Sequence, residues 1–218
     1  MTFKTALATL ARRHPTGSRW LALRSLSRES HLRASGWFES FRRGVPLDAN
    51  GDEIPWYTYG AIRFLESRVG PSLSVFEFGS GHSTLWWSRR VARVVACEND
   101  RHWFELMRPR LPPSVRYIHD EASSGGSYAQ QVVTVGEAFD IVVIDGRDRL
   151  RCAEHALAAL RPTGVVVWDN SDRPEYEPGY AMLARHGFRR LDFWGMGPIN
   201  TYEWCTSVFY RSENCLAL

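Results

Sequence analysis

The stretch Val75-Phe76-Glu77-Phe78-Gly79-Ser80-Gly81-His82-Ser83-Thr84 has the residue types and spacing of a ligand-binding turn. An apolar run enters two closely spaced glycines and leaves as a helical pattern. Gly79 and Gly81 permit backbone conformations and close ligand approach that a Cβ would hinder. Nineteen residues after Gly79, a second apolar run ends in Cys97-Glu98-Asn99-Asp100. An acid at a strand end of this spacing can accept hydrogen bonds from both hydroxyls of a ribose. Two further apolar runs end in Asp145 and in Asp169-Asn170. If these runs are parallel neighbours, the three side chains meet at one rim. Two carboxylates and an amide oxygen form a hard donor set suited to Mg²⁺ or another divalent cation. Three readings stay open for them. They could hold a metal, Asp145 could position a substrate without one, or Asp169-Asn170 could cap the next turn. His82 opens a helix, where it could act as a base or simply face solvent.

The elements that must position these residues follow from hydrophobic patterning. Short apolar runs at 74–78, 93–97, 115–119, 139–144 and 164–168 alternate with helical patterns at 82–91, 101–110 and 148–160. That alternation predicts β-α-β crossovers and a mostly parallel sheet. A helix near 176–186 and strands near 188–194 and 203–210 complete the body, the last two pairing antiparallel. Ahead of it, helices are expected at 3–13, 18–28, 35–43 and 56–68. The acidic turn at 48–53 lacks the sixth-position Gly and twelfth-position Glu of a calcium loop, so it reads as solvated.

The pattern Glu77-x-Gly79-x-Gly81-x-Ser83 with Glu98 resembles the class I S-adenosylmethionine-dependent methyltransferases. The resemblance runs from about residue 55 to 210. It implies an α/β, doubly wound, Rossmann-like sheet of seven strands with the last one antiparallel. It implies S-adenosylmethionine bound by Glu77, Gly79, Ser80, Gly81, Ser83, Glu98, Asp120 and Asp145, with Tyr59 from the preceding segment. The strand-end trio Asp145, Asp169 and Asn170 is similar to the metal triad of catechol- and caffeoyl-CoA-type O-methyltransferases. Those enzymes place a Lys soon after the first Asp, whereas Gly146-Arg147-Asp148-Arg149 follows here. Asp145, Asp169 and His82 are the catalytic candidates. Arg173, Trp194, Asn200 and Trp204 are expected to shape the acceptor pocket. Trp56 or Tyr59 could stack on the adenine, line that pocket or pack the head onto the sheet, and the run 123–128 could cover the acceptor or be a mobile surface loop. The expected activity is methylation of a small molecule, at oxygen. A non-catalytic binding module and an aminopropyl transferase are the competing readings.

Composition narrows the chemistry further. Lys4 is the single lysine among 27 basic residues, which excludes a P-loop lysine or a Schiff-base lysine from the body. Residues 1–43 carry a net +7 and the remainder −4. We therefore expect a basic helical extension over 1–54 and a methyltransferase-like domain over 55–218. The head could serve a homodimer contact or rest on an anionic membrane. Nucleic acid is a disfavoured partner, because Asp145-Gly146-Arg147-Asp148 lacks the Asn/Asp-Pro-Pro-Tyr/Phe clamp used on base amines. The cysteines, 97, 152, 205 and 215, show no metal or disulfide spacing and suggest a reducing cytoplasmic setting.

Overall fold

Period-two alternation sends successive strand side chains to opposite faces, and both faces are apolar here. Phe76, Phe78, Val142, Ile144, Val166 and Trp168 build one core. Val75, Ile141, Val143, Val165 and Val167 build the other. A sheet buried on both sides must carry helices on both, as parallel sheets do. In a computed structural model, which describes residues 15–121 and 126–218, this is the arrangement.

The parallel strands are β1 (Ser74–Phe78), β2 (Arg93–Glu98), β3 (Val115–His119), β4 (Phe139–Ile144) and β5 (Leu160–Asp169). Strands β6 (Arg189–Gly195) and β7 (Trp204–Tyr210) follow. The sheet order is β3-β2-β1-β4-β5-β7-β6, with β7 antiparallel to both β5 and β6. This is the seven-stranded topology the resemblance implies. Strand β5 starts four residues earlier than its apolar run, because Leu160 pairs with Phe139 ahead of a register shift.

The head contributes α1 (Pro15–Glu29), α2 (His31–Ala34) and α3 (Trp37–Arg43). Helix α1 begins at Pro15, which suits a first helical position. It buries no residue, and Trp20, Leu23 and Leu26 are exposed along it. The expected helix at 3–13 lies outside the described residues. Helix α4 (Tyr59–Glu66) is capped by Thr58, whose hydroxyl accepts from the Ala61 amide. The crossover helices are α5 (His82–Ser88), α6 (Arg101–Met107), α7 (Gln131–Thr134), α8 (Arg149–Ala159) and α9 (Glu177–Arg185). No described helix is long and apolar enough to cross a membrane.

Strand order reverses between β1 and β4, where the chain returns from β3 to the centre of the sheet. Ligands of open α/β sheets bind outside the strand ends at such a point. Phe78 pairs with Ile144 and Ile144 with Trp168. Gly79, Asp145 and Asp169 therefore emerge side by side.

Candidate active site

Backbone bonds carry the strand register past the last paired residues. The Gly79 amide donates to the Cys97 carbonyl at 2.9 Å, and the Asp145 amide to the Phe78 carbonyl at 3.0 Å. Gly79 has φ +87°, and a Cβ there would lie 3.0 Å from the Asp145 carbonyl. A Cβ at Gly146 would fall 2.1 Å from the Tyr128 hydroxyl. Gly81, by contrast, is extended, and a Cβ would meet only the Trp103 ring at ordinary contact distance.

A cleft of about 760 Å³ opens above this turn, within the size range of ligand pockets, roughly 300–1,000 Å³. Gly79, Ser80, Glu98 and Asp145 line it, as expected, together with Trp103, Arg147 and Arg173. Glu98 is buried. One of its carboxylate oxygens accepts from the Ser80 amide (3.0 Å) and hydroxyl (2.7 Å), the other from the Asn99 and Asp100 amides. The Ser80 hydroxyl is the rotatable one of these four donors, so it is the bond a ligand hydroxyl can replace.

Glu77 lies fully buried beneath the turn. One carboxylate oxygen accepts from the Thr84 hydroxyl at 2.5 Å, and Thr84 in turn accepts from the Gly81 amide. The other oxygen, Oε1, has no partner among the described residues. Burial pushes this carboxyl up to about 8, against the pull of the Ser83 and Thr84 hydroxyls. Glu77 itself lies beneath the turn and outside the cleft lining.

The structure moves other expected residues away. Tyr59 does not border the cleft. It lines a separate cavity of about 570 Å³ with His31, Ile62 and Arg63, because the Thr58 cap turns the first residue of α4 toward the head. His82 is buried rather than exposed and lies outside the cleft lining. Burial, then Arg110, lower its pKa, and Glu53 raises it. As a catalytic base it is misplaced. Asp120 also lies off the cleft lining. One of its oxygens accepts from the Ser127 hydroxyl and the Gln131 amide, pinning the turn before α7. Of the run 123–128, residues 123–125 lie outside the described residues.

The strand-end trio does come together, but around a cation of its own. The Arg149 guanidinium donates to the Asp145 carboxylate (3.0 Å), the Asn170 side-chain oxygen (3.3 Å) and the carbonyls of Gly146, Asp145 and Asp169. Asp169 is turned into the sheet, where one oxygen accepts from Trp204 Nε1 (3.0 Å) and the Thr206 hydroxyl (2.6 Å). One oxygen of each carboxylate and the Asn170 oxygen are thus engaged by β7 or by a guanidinium, and that guanidinium lies where a divalent ion would have to sit. No metal-ligating cluster of three His, Cys, Asp or Glu occurs among the described residues. The expected Mg²⁺ site does not fit these residues. Burial raises the Asp169 carboxyl, and the neighbouring Asp145 raises it further. Burial also raises Asp145, against the pull of Arg149 and Arg173.

Beside this cluster is a second cavity of about 350 Å³, lined by Trp56, Asp145, Asp169, Asn170, Arg173, Asn200, Tyr202 and Trp204. Asp145 and Arg173 line both cavities and form the wall between them. Trp194, grouped with these residues by sequence, is exposed and does not line the cavity. Several cleft residues were not picked out from sequence, Leu150 and Tyr176 among them, and two of these, Arg149 and Trp103, shape the site. Arg149 left one trace, standing where a related motif carries lysine. Trp103 lies three residues after the helix cap Asp100, whose carboxylate accepts from its amide, and its indole nitrogen donates to the Ser80 carbonyl.

Residues 76–171 match a family described as a methyltransferase domain. Among solved structures, a Klebsiella pneumoniae protein assigned as an O-methyltransferase superposes with a TM-score of 0.56 at 16% identity, covering 93% of this chain and 99% of that one. A precorrin-6y C5,15-methyltransferase from Geobacter metallireducens gives 0.56 at 16% identity over 70% of this chain and 87% of that one. An rRNA methylase from Streptococcus thermophilus gives 0.54 at 16% identity, over 69% and 93%. At these identities the likeness is one of fold. No curated protein matches the chain.

Proposed function

We propose that this chain, whose residues 76–171 match a methyltransferase domain, is a class I S-adenosylmethionine-dependent methyltransferase that methylates a small-molecule acceptor at oxygen without a metal ion. One observation carries the reading: the large cleft and the smaller cavity share Asp145 and Arg173 as a common wall. Two bound reactants would therefore meet across one carboxylate.

Glu98 and Ser80 would hold the ribose, and the Gly79 turn would admit the methionine moiety. Bound there, S-adenosylmethionine supplies an electrophilic methyl group. The chain's own contribution is orientation, which can lower a barrier by several kcal/mol, roughly 7–11 at best. Asp145 supports the choice of oxygen. Its Oδ1 is held by Arg149, its Oδ2 has no partner among the described residues, and its raised pKa suits it to take a hydroxyl proton. Arg149 keeps that carboxylate oriented, the task a metal would otherwise share.

Calorimetric titration with S-adenosylhomocysteine tests the premise. Micromolar binding, lost in Glu98→Ala and kept in Asp145→Asn, is the expected result. No binding to the wild-type chain at millimolar concentration would sink the reading.

A further inference from the structure

The smaller cavity has two kinds of wall. Trp56, Tyr202 and Trp204 supply flat apolar surface. The Tyr202 and Trp204 ring centroids are 6.1 Å apart at an interplanar angle of 59°, and the rings of Trp56 and Tyr202 are open to solvent. Asn170, Arg173 and Asn200 supply polar surface. Arg173 is exposed, and among the described residues its guanidinium makes no hydrogen bond or ion pair. The side-chain amide nitrogens of Asn170 and Asn200 likewise lack acceptors among the described residues.

Each acid of the cavity has one oxygen already engaged. Asp145 is paired with Arg149 at 3.0 Å. Asp169 has one oxygen filled by Trp204 and Thr206. Arg149 cannot serve a ligand, since its donors are spent on carbonyls and on Asp145 and Asn170. A planar surface beside an unmatched guanidinium selects for a flat anion.

We propose that the methyl acceptor is a planar aromatic carboxylate, its ring lying against Trp56, Tyr202 and Trp204 and its carboxylate received by Arg173 with the amides of Asn170 and Asn200. This rests on the methyltransferase reading above. Arg173 also borders the cofactor cleft, but that cleft has a cation of its own in Arg147. Among the residues lining the smaller cavity, Arg173 is the one cation.

The test uses the full chain saturated with S-adenosylhomocysteine. It is titrated with hydroxybenzoates and indole carboxylates, each beside its primary amide. The expected result is that at least one acid binds tighter than its amide by roughly tenfold or more, the scale of a charge-assisted hydrogen bond. Arg173→Gln should erase that preference and Arg173→Lys keep part of it, with S-adenosylhomocysteine affinity unchanged in both. Equal binding of acids and amides overturns the proposal, as does failure of every acid to bind at millimolar concentration. A loss of S-adenosylhomocysteine affinity in Arg173→Gln that matches the loss of acid affinity also overturns it, by assigning Arg173 to the cofactor. If the wild-type chain binds no S-adenosylhomocysteine, the methyltransferase reading itself fails and this proposal falls with it.

Discussion

Arg149 makes the site self-contained at the scale of single residues. It is nearly buried, with its charge answered by Asp145 and its remaining donors by three carbonyls. Removing one partner of a buried pair costs more than the pair itself contributes, because the other is left uncompensated. Arg149→Met is therefore expected to lower stability by about 3–5 kcal/mol in urea denaturation. Methyl transfer by the wild-type protein should be unchanged by excess chelator. Glu77 offers a second, pH-linked readout. Its folded pKa is raised from 4.5 to about 8, so the unfolded chain releases the proton first as pH rises. Stability from this group is full below about 4.5 and declines until about 8. The urea midpoint of the ligand-free protein should fall across that window, and Glu77→Gln should flatten part of the slope. Glu98 was legible in sequence because a strand end fixes where an acid emerges, and Glu77 because it precedes the glycine pair. His82 and Tyr59 were not, because the facing of a helix's first residue depends on its cap and its neighbours.

The strand–turn–helix unit around Gly79 is the element that creates the cleft. Its φ of +87° lies where an L side chain is strained, and the Asp145 backbone leaves no room for a Cβ. Gly79→Ala should cost about 1–2 kcal/mol of stability from the backbone alone. It should weaken S-adenosylhomocysteine binding more than Gly81→Ala does, measured by calorimetry on both variants. The sheet was the most readable part of the sequence. Val-, Ile- and Phe-rich runs bounded by glycine and acids mark β1, β3 and β4 at their observed limits. The early start of β5 was hidden, since exposed Arg161, Pro162 and Thr163 carry no apolar signal and lie in the irregular stretch between the Leu160–Phe139 and Val165–Ile141 pairs.

Across the whole molecule, the head is tied to the loop between β6 and β7, which borders the smaller cavity. Trp37 Nε1 in α3 donates to the Asn200 carbonyl at 2.8 Å, and from the body the Tyr59 amide donates to the Met196 carbonyl of the same loop at 2.9 Å. The basic extension, read in sequence as a separate unit, thus braces the loop between β6 and β7. Trp37→Phe removes one hydrogen bond, about 1 kcal/mol. We expect it to raise acceptor KM roughly fivefold, the equivalent of that energy, while leaving S-adenosylhomocysteine affinity as it was. Steady-state kinetics with the cofactor saturating would separate the two effects. No composition signal in residues 1–43 foretells this contact, because a charge count describes solvation and not which loop a helix touches.

Trp103 stands over the Ser80–Gly81 turn, with its indole fastened to the Ser80 carbonyl and its ring about one-third exposed. Trp86, Trp87 and Trp168, by contrast, are wholly enclosed. A quencher dissolved in the buffer reaches Trp103 and not those three. A nucleoside settling beside Ser80 would shield it, so the protein carries a native optical probe of its own cleft, and the emission lost in Trp103→Phe is the signal to follow.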